Sequence, residues 1–261
     1  TGSVPEDASA SVGAKRVFRF KDSDSRSWAR ASEGEVFIYP QHEWWNNIVP
    51  ILAVDADRRL VTLAKNCSYD ITAGDRYFVR GLLEELDAPG EWYLDVTKRV
   101  LYFWPPEPLN GRAVWVPGLL SLVEFGPGAA HITFRGFTLE CCANSALVMK
   151  DSENCLIASC TVRNATGYHG AGISVSGGRS NGVVGCDVHD VGGRGIVLTG
   201  GDLKTLTPAG NYAENNHVTR VGMDYRQGSG IELRGVGNRV SRNTIHHVPR
   251  FAVMFGGSNN T

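Results

Sequence analysis

Several things are scarce in this 261-residue sequence. No apolar run approaches the length of a membrane-spanning helix, so helical membrane insertion is not expected. Neither sign of charge dominates: 26 basic and 27 acidic residues leave a net charge of -1, without long runs of Lys and Arg, which argues against a nucleic-acid partner. Six cysteines lack the spacings of a disulfide framework or a zinc site, so buried thiols in the place of small core residues are the expectation. No His, Asp and Glu set has metal-ligand spacing, so no cofactor is expected, with calcium bound through turn carbonyls left open. Long helical periodicity is missing too, which points to an all-β chain.

What fills the second half instead is a repeated phrase. Gly172-Ile-Ser-Val-Ser-Gly177, Gly195-Ile-Val-Leu-Thr-Gly200 and Gly230-Ile-Glu-Leu-Arg-Gly235 share one template, and Ser121–Gly126, Ala146–Asp151 and Phe251–Gly256 fit it too. The copies start 25, 26, 23, 35 and 21 residues apart. Alternate positions are apolar, as in strands with one buried face. The inward column reads Leu147, Ile173, Ile196, Ile231, Ala252, and the outward one Val148, Ser174, Val197, Glu232, Val253.

Each copy is followed by a second strand-like phrase that places Cys160, Cys186, Asn216 and Asn243 in one column, expected to be an internal ladder at a turn. At least two short strands per period of twenty-odd residues describe coils of a parallel β-helix, each burying its apolar face on its neighbours.

The first half reads differently. Residues 1–16 are a small, polar lead-in, and 17–116 carry strands of irregular spacing at Val17–Phe20, Glu35–Tyr39, Asn47–Asp55, Leu60–Leu63, Arg76–Arg80, Glu91–Asp95, Val100–Trp104 and Arg112–Val116. One short helix is expected over Gly81–Asp87. This suits a β-sandwich-like module preceding or inserted into the β-helix of 117–261. Because Gly256–Thr261 stops at a turn, where a solenoid would expose its stack, the sequence is expected to be part of a longer chain. No charged-then-apolar leader is visible.

Particular phrases, Gly90-Glu-Trp-Tyr-Leu-Asp95, Leu101-Tyr-Phe-Trp-Pro-Pro106, His131-Ile-Thr-Phe-Arg-Gly136, His189-Asp-Val-Gly-Gly193, Gly200-Gly-Asp202 and Gly237-Asn-Arg-Val240, resemble the right-handed β-helix carbohydrate enzymes of glycoside hydrolase families 120 and 141. The resemblance implies a right-handed parallel β-helix interrupted by a β-sandwich, a carbohydrate substrate cut through an Asp/Glu pair, and a secreted or periplasmic location. Oligomeric state is not legible.

Glycoside hydrolysis needs two carboxyl groups on either side of the scissile bond. Glu232 is the first candidate, outward on its strand between Val197 and Val253, where apolar neighbours would favour a general acid; a charge paired with Arg234 or with an arginine on the next coil is the alternative. Asp202 opens the insertion that lengthens one repeat to 35 residues and is proposed as nucleophile or base, the alternative being a turn aspartate bonding its own backbone. Asp224, in Gly222-Met-Asp-Tyr-Arg226, is the substitute.

His189, Asp190, His246 and His247 sit at equivalent points of their coils and are expected to bind sugar hydroxyls or to form a hydrogen-bonded turn ladder. Arg194, Arg226, Arg234 and Arg250 suit an acidic sugar or a carbanion, and Trp28, Trp44, Trp45, Tyr168, Tyr225 and Phe255 suit ring stacking, with core packing the first expectation for Trp44 and Trp45. Rival functions are a polysaccharide lyase or uronate epimerase on the same fold, and a non-catalytic carbohydrate-binding fragment.

Overall fold

The computed structural model describes residues 2–4, 15–21, 24 and 27–261. The chain divides into two compact units, Thr1–Ala113 and Val114–Thr261. Most of the expected lead-in, 5–14, lies outside the described residues.

The first unit is antiparallel. Six strands lie in the order Gly2–Ser3, Arg76–Arg80, Glu35–Ile38, Asn47–Asp55, Leu60–Leu63, Val17–Arg19, and Trp92–Asp95 pairs with Val100–Phe103 as a separate hairpin. The long strand Asn47–Asp55 pairs on both sides, with a register shift between Ile51 and Ala53. The layers it joins share one core of Phe18, Phe20, Val36, Ile38, Val49, Ile51, Val61, Leu63 and Tyr77, which fits a β-sandwich-like module. Two expectations fail here. Gly81–Asp87 forms only a 3-10 turn at Leu83–Glu85, because seven residues starting at a positive-φ glycine cannot repay helix nucleation. Residues 112–116 form no strand: Val114, Trp115 and Val116 are exposed and Pro117 follows.

The second unit is a right-handed parallel β-helix of about five coils with three strands each, not two. Sheet I stacks Thr133–Arg135, Leu156–Ala158, Gly182–Val184, Tyr212–Glu214 and Arg239–Ser241. Sheet II stacks Thr138–Cys142, Thr161–Ala165, Asp187–Val191, His217–Val221 and Thr244–His246. Sheet III stacks Val123–Phe125, Leu147–Lys150, Ala171–Ser176, Arg194–Gly200, Ser229–Val236 and Phe251–Ser258. Sheet I escapes a sequence reading because its strands hold only three residues, too few to show a period.

The repeated phrase is sheet III. Leu147, Ile173, Ile196 and Ile231 stack in register and are fully buried, each contributing about 1.5–3 kcal/mol of apolar burial. Both ends of the column are displaced by one residue from the phrase alignment: Val123, not Leu122, pairs with Leu147, and Val253, not Ala252, pairs with Ile231.

The glycine that begins each central copy has a steric cause. A Cβ on Gly172, Gly195 or Gly230 would sit 2.5, 2.5 or 2.4 Å from a branched methyl of Val188, Val218 or Ile245 on sheet II, closer than any carbon pair tolerates.

Two corners are built alike. Between sheets I and II, Ser159, Gly185, Asn215 and Arg242 take positive φ, each followed by a column residue: Cys160, Cys186, Asn216, Asn243. Asn216 Oδ1 accepts from Cys186 N at 2.9 Å, and its Nδ2 donates to Val183 O and to Asn243 Oδ1 at 2.9 Å. This is the ladder expected from the sequence. The corner between sheets III and I repeats the device with Cys155, Asn181, Asn211, Asn238 and Asn260, a column the sequence reading did not find. All six cysteines are free thiols, five of them buried; burial pushes the Cys186 thiol up to about 11.

Candidate functional site

Outward side chains of sheet III form the column Glu124, Val148, Ser174, Val197, Glu232, Met254. Glu232 therefore lies between Val197 and Met254, not Val253, because of the one-residue displacement. It is only 3% exposed although it points away from the core. Its cover is polar: Arg194 Nε donates to Oε2 at 2.6 Å, and Arg234 Nε donates to Oε1. The carboxylate expected among apolar neighbours is instead held by two guanidiniums, one on the preceding coil and one on its own strand. That is the pairing alternative raised above, with the arginine on the other side.

Aromatic rings complete the cover. The Arg194 guanidinium stands 4.9 Å from the centre of the Tyr225 ring, and Tyr225 packs on Tyr168 at 4.7 Å. These tyrosines belong to the loops that lead from sheet II into sheet III, 166–170 and 222–228. The second loop is shaped by its backbone: Asp224 N and Tyr225 N both donate to Gly192 O, and Gly228 N donates to Tyr225 O. Arg250, entering the next strand, donates to Gln227 Oε1 at 2.6 Å. Burial pushes the Tyr168 hydroxyl up to about 12 and raises that of Tyr225 as well.

Of the three candidate carboxylates, Asp224 and Glu232 belong to this end of sheet III. The half-buried Asp224 side chain accepts from Gly167 N at 3.3 Å, tying the two loops together. Asp202 does not join them. It follows Gly200, at the opposite end of the strand that carries Arg194, and its Oδ1 accepts from Lys204 N at 2.7 Å and from Thr205 N. It is the turn aspartate named above as the alternative, and its exposure comes from the insertion it opens.

The histidines occupy a different face. His189 pairs in register with Thr219 and Thr219 with His246, so the equivalence read from the sequence holds, but the column lies on sheet II. There Asp190 takes Arg220 Nε at 2.7 Å and Nη2 at 2.9 Å, with His189 Nδ1 2.7 Å away, and the guanidinium holds the carboxyl down at about 2.

Beside it runs a row that the sequence reading missed. Asp187 Oδ1 lies 2.8 Å from His217 Nδ1, and His217 Nε2 lies 2.8 Å from His246 Nε2; His246 Nδ1 in turn meets Thr219 Oγ1 at 3.2 Å and His247 Nδ1. If each ring is neutral, the contacts among the rings and Asp187 are satisfied when His247 donates to His246, His246 to His217, and His217 to Asp187, with Thr219 Oγ1 sharing the single lone pair of His246 Nδ1. His217 was hidden because it lies in the first position of a strand, next to the ladder residue Asn216; only the register reveals its neighbours.

The remaining aromatic candidates are dispersed. Trp28 packs on Phe20 and donates to Glu85 Oε1 at 2.7 Å, Trp44 and Trp45 surround Tyr69 with His42, and Phe255 is 74% exposed on the last strand. Among the described residues, no group of three or more His, Cys, Asp or Glu is arranged to hold a metal ion, and no helix is long and apolar enough to cross a membrane.

A family model described as a right-handed beta helix region matches residues 123–227. A solved structure titled "Glycoside hydrolase" superimposes with a TM-score of 0.72 at 15% identity, covering 98% of this chain and 58% of that one. The present chain thus spans somewhat over half the length of that structure, and at such identity the likeness is one of fold. The tailspike protein gp49 from Pseudomonas phage LKA1 aligns over 94% of this chain and 42% of that one at 10% identity, with a TM-score of 0.21 that carries no argument. No curated protein matches the chain. The family model and the first superposition agree with the geometry on the fold, a right-handed parallel β-helix.

Proposed function

We propose that this chain is a carbohydrate-active β-helix protein that hydrolyses glycosidic bonds of a plant or microbial polysaccharide or oligosaccharide on the outward face of sheet III. The observation that carries the reading is Glu232: an enclosed carboxylate on an outward strand position, held by two guanidiniums, one of which stands over the Tyr225 ring. Hydrolysis needs a second carboxyl group. Asp224 is the acid that the fold brings to the same end, so the pair is Glu232 as nucleophile or base and Asp224 as acid, in place of the Asp202 and Glu232 pair. The resemblance to families 120 and 141 and a secreted or periplasmic location belong to the same proposal.

A lyase or epimerase would need a base with a lowered pKa beside the arginines. Tyr168 and Tyr225, the rings at hand, are shifted the other way by burial, which favours hydrolysis.

The test is release of reducing ends from a panel of plant and microbial polysaccharides. Glu232→Gln and Asp224→Asn are each expected to lower turnover by about 10²–10⁴-fold, and Asp202→Asn to leave it unchanged. Full turnover in either of the first two variants sinks the assignment, and an unsaturated product hands the site to the lyase reading. Sugar binding without turnover in the unaltered chain points to a carbohydrate-binding module.

A further inference from the structure

Charge is unevenly spread at the Glu232 end of sheet III. Two guanidiniums, Arg194 and Arg234, close on the one carboxylate of Glu232, and Arg250 bonds Gln227 of the adjoining loop, in a chain whose net charge is -1. The excess has a direction. Glu232 takes the Nε edge of both Arg194 and Arg234. Arg194 reaches one further acceptor, His169 O, at the long distance of 3.5 Å from Nη1. The Arg234 side chain is 60% exposed, and its terminal nitrogens have no hydrogen-bond partner among the described residues.

A guanidinium anchored through Nε keeps its paired terminal N–H groups in a fixed plane, the fork that a carboxylate accepts bidentately. Beside Arg194, the half-buried rings of Tyr168 and Tyr225, packed at 4.7 Å and tilted by 57°, add aromatic surface of the kind a pyranose packs on. Glu232 thereby orients the two arginines as well as being held by them.

We infer that this end of sheet III is a subsite for an anionic sugar, a uronate whose carboxylate docks on the terminal N–H groups of Arg234 with Arg194 behind it. The inference rests on the carbohydrate reading above and narrows its substrate class.

Calorimetric titration of the whole chain with matched probes tests it: oligosaccharides of galacturonate, glucuronate and mannuronate against those of galactose, glucose and mannose, which differ at C6 alone. At least one oligouronate should bind at least ten-fold more tightly than its neutral counterpart. That preference should shrink as salt is raised, and Arg234→Gln should abolish it. Arg234→Lys, which keeps the charge and loses the fork, should retain only part of it, showing that the loss is not a folding defect. Equal binding of neutral and acidic sugars, or an unchanged preference in Arg234→Gln, overturns the uronate subsite and leaves the carbohydrate reading standing. If no sugar in either set binds, both fall.

Discussion

At the scale of single residues, the solenoid is constrained most tightly where it is smallest. A Cβ added to Gly195 would meet Val218 Cγ1 at 2.5 Å and the Gly230 carbonyl oxygen at 2.3 Å, and a backbone atom cannot step aside as a side-chain tip can. Gly195→Ala is therefore expected to destabilise the unit by about 1–3 kcal/mol, the usual cost of overpacking. Urea denaturation checks it, with Ser174→Ala as the comparison: Ser174 lies on the neighbouring strand of the same sheet but points outward, so its replacement should cost under about 0.5 kcal/mol. Equal midpoints for the two variants would show that sheets II and III are not held as closely as the glycine column requires. Glu232 is the opposite case, a large charged residue enclosed on the outer surface. Sequence could place it outward on its strand, because alternation decides the face. Its two guanidinium partners depend on which coil lies beside which.

At the scale of elements, the corners carry the structure and the register limits what sequence can say. Asn216 joins three coils through its side chain, serving Cys186 N, Val183 O and Asn243 Oδ1. Asn216→Ala leaves buried groups without partners, and a loss of about 3 kcal/mol in chemical unfolding is expected. Asn216→Asp should cost at least as much, because it keeps the acceptor but turns the donor edge into an oxygen facing two other oxygens. A neutral Asn216→Ala would mean that the ladder merely fills space.

This column was legible because Cys160-Thr-Val162, Cys186-Asp-Val188, Asn216-His-Val218 and Asn243-Thr-Ile245 form a recurring phrase of their own. The second column, Cys155 to Asn260, stands five residues before the first in each coil they share and was not legible, because the three-residue strands beside it repeat no phrase. The one-residue displacement at both ends of sheet III has a different cause. The terminal copies lack the initial glycine that locks the phase, and Val123 and Val253 alternate as well as Leu122 and Ala252 would. The fold could be read because the period survives small phase errors. The site could be read only in part, since Asp202 and Glu232 lie close in the repeat pattern yet the strand between them carries Asp202 to the far end.

At the scale of the whole molecule, the two units are set to answer acid differently. In the antiparallel unit Asp95, buried and bonded to Arg30 Nη2 at 2.9 Å, is held at about 2 by that guanidinium. In the solenoid Asp190 is held at about 2 by Arg220. A carboxyl depressed by folding contributes stability that is present above its unfolded pKa, near 3.8, and lost as pH falls through 4 towards 2. Both units share that limb.

His246 gives the solenoid another. Burial, then His247, His217 and Arg220, lower it from its ordinary 6.5, so the unfolded chain takes up its proton first. Stability from this group is present above 6.5 and declines as pH falls below it, modestly because the ring is exposed.

Hydrogen exchange followed peptide by peptide should therefore show sheet II losing protection as pH falls below about 6.5, while the strands of residues 17–80 hold until pH drops below about 4. His246→Gln, which cannot take up a proton, should remove the first decline and leave the second. If the variant declines with the same profile as the unaltered chain, the imidazole row does not couple to the stability of the coils, and the early acid limb must be sought among the other titrating groups of the solenoid.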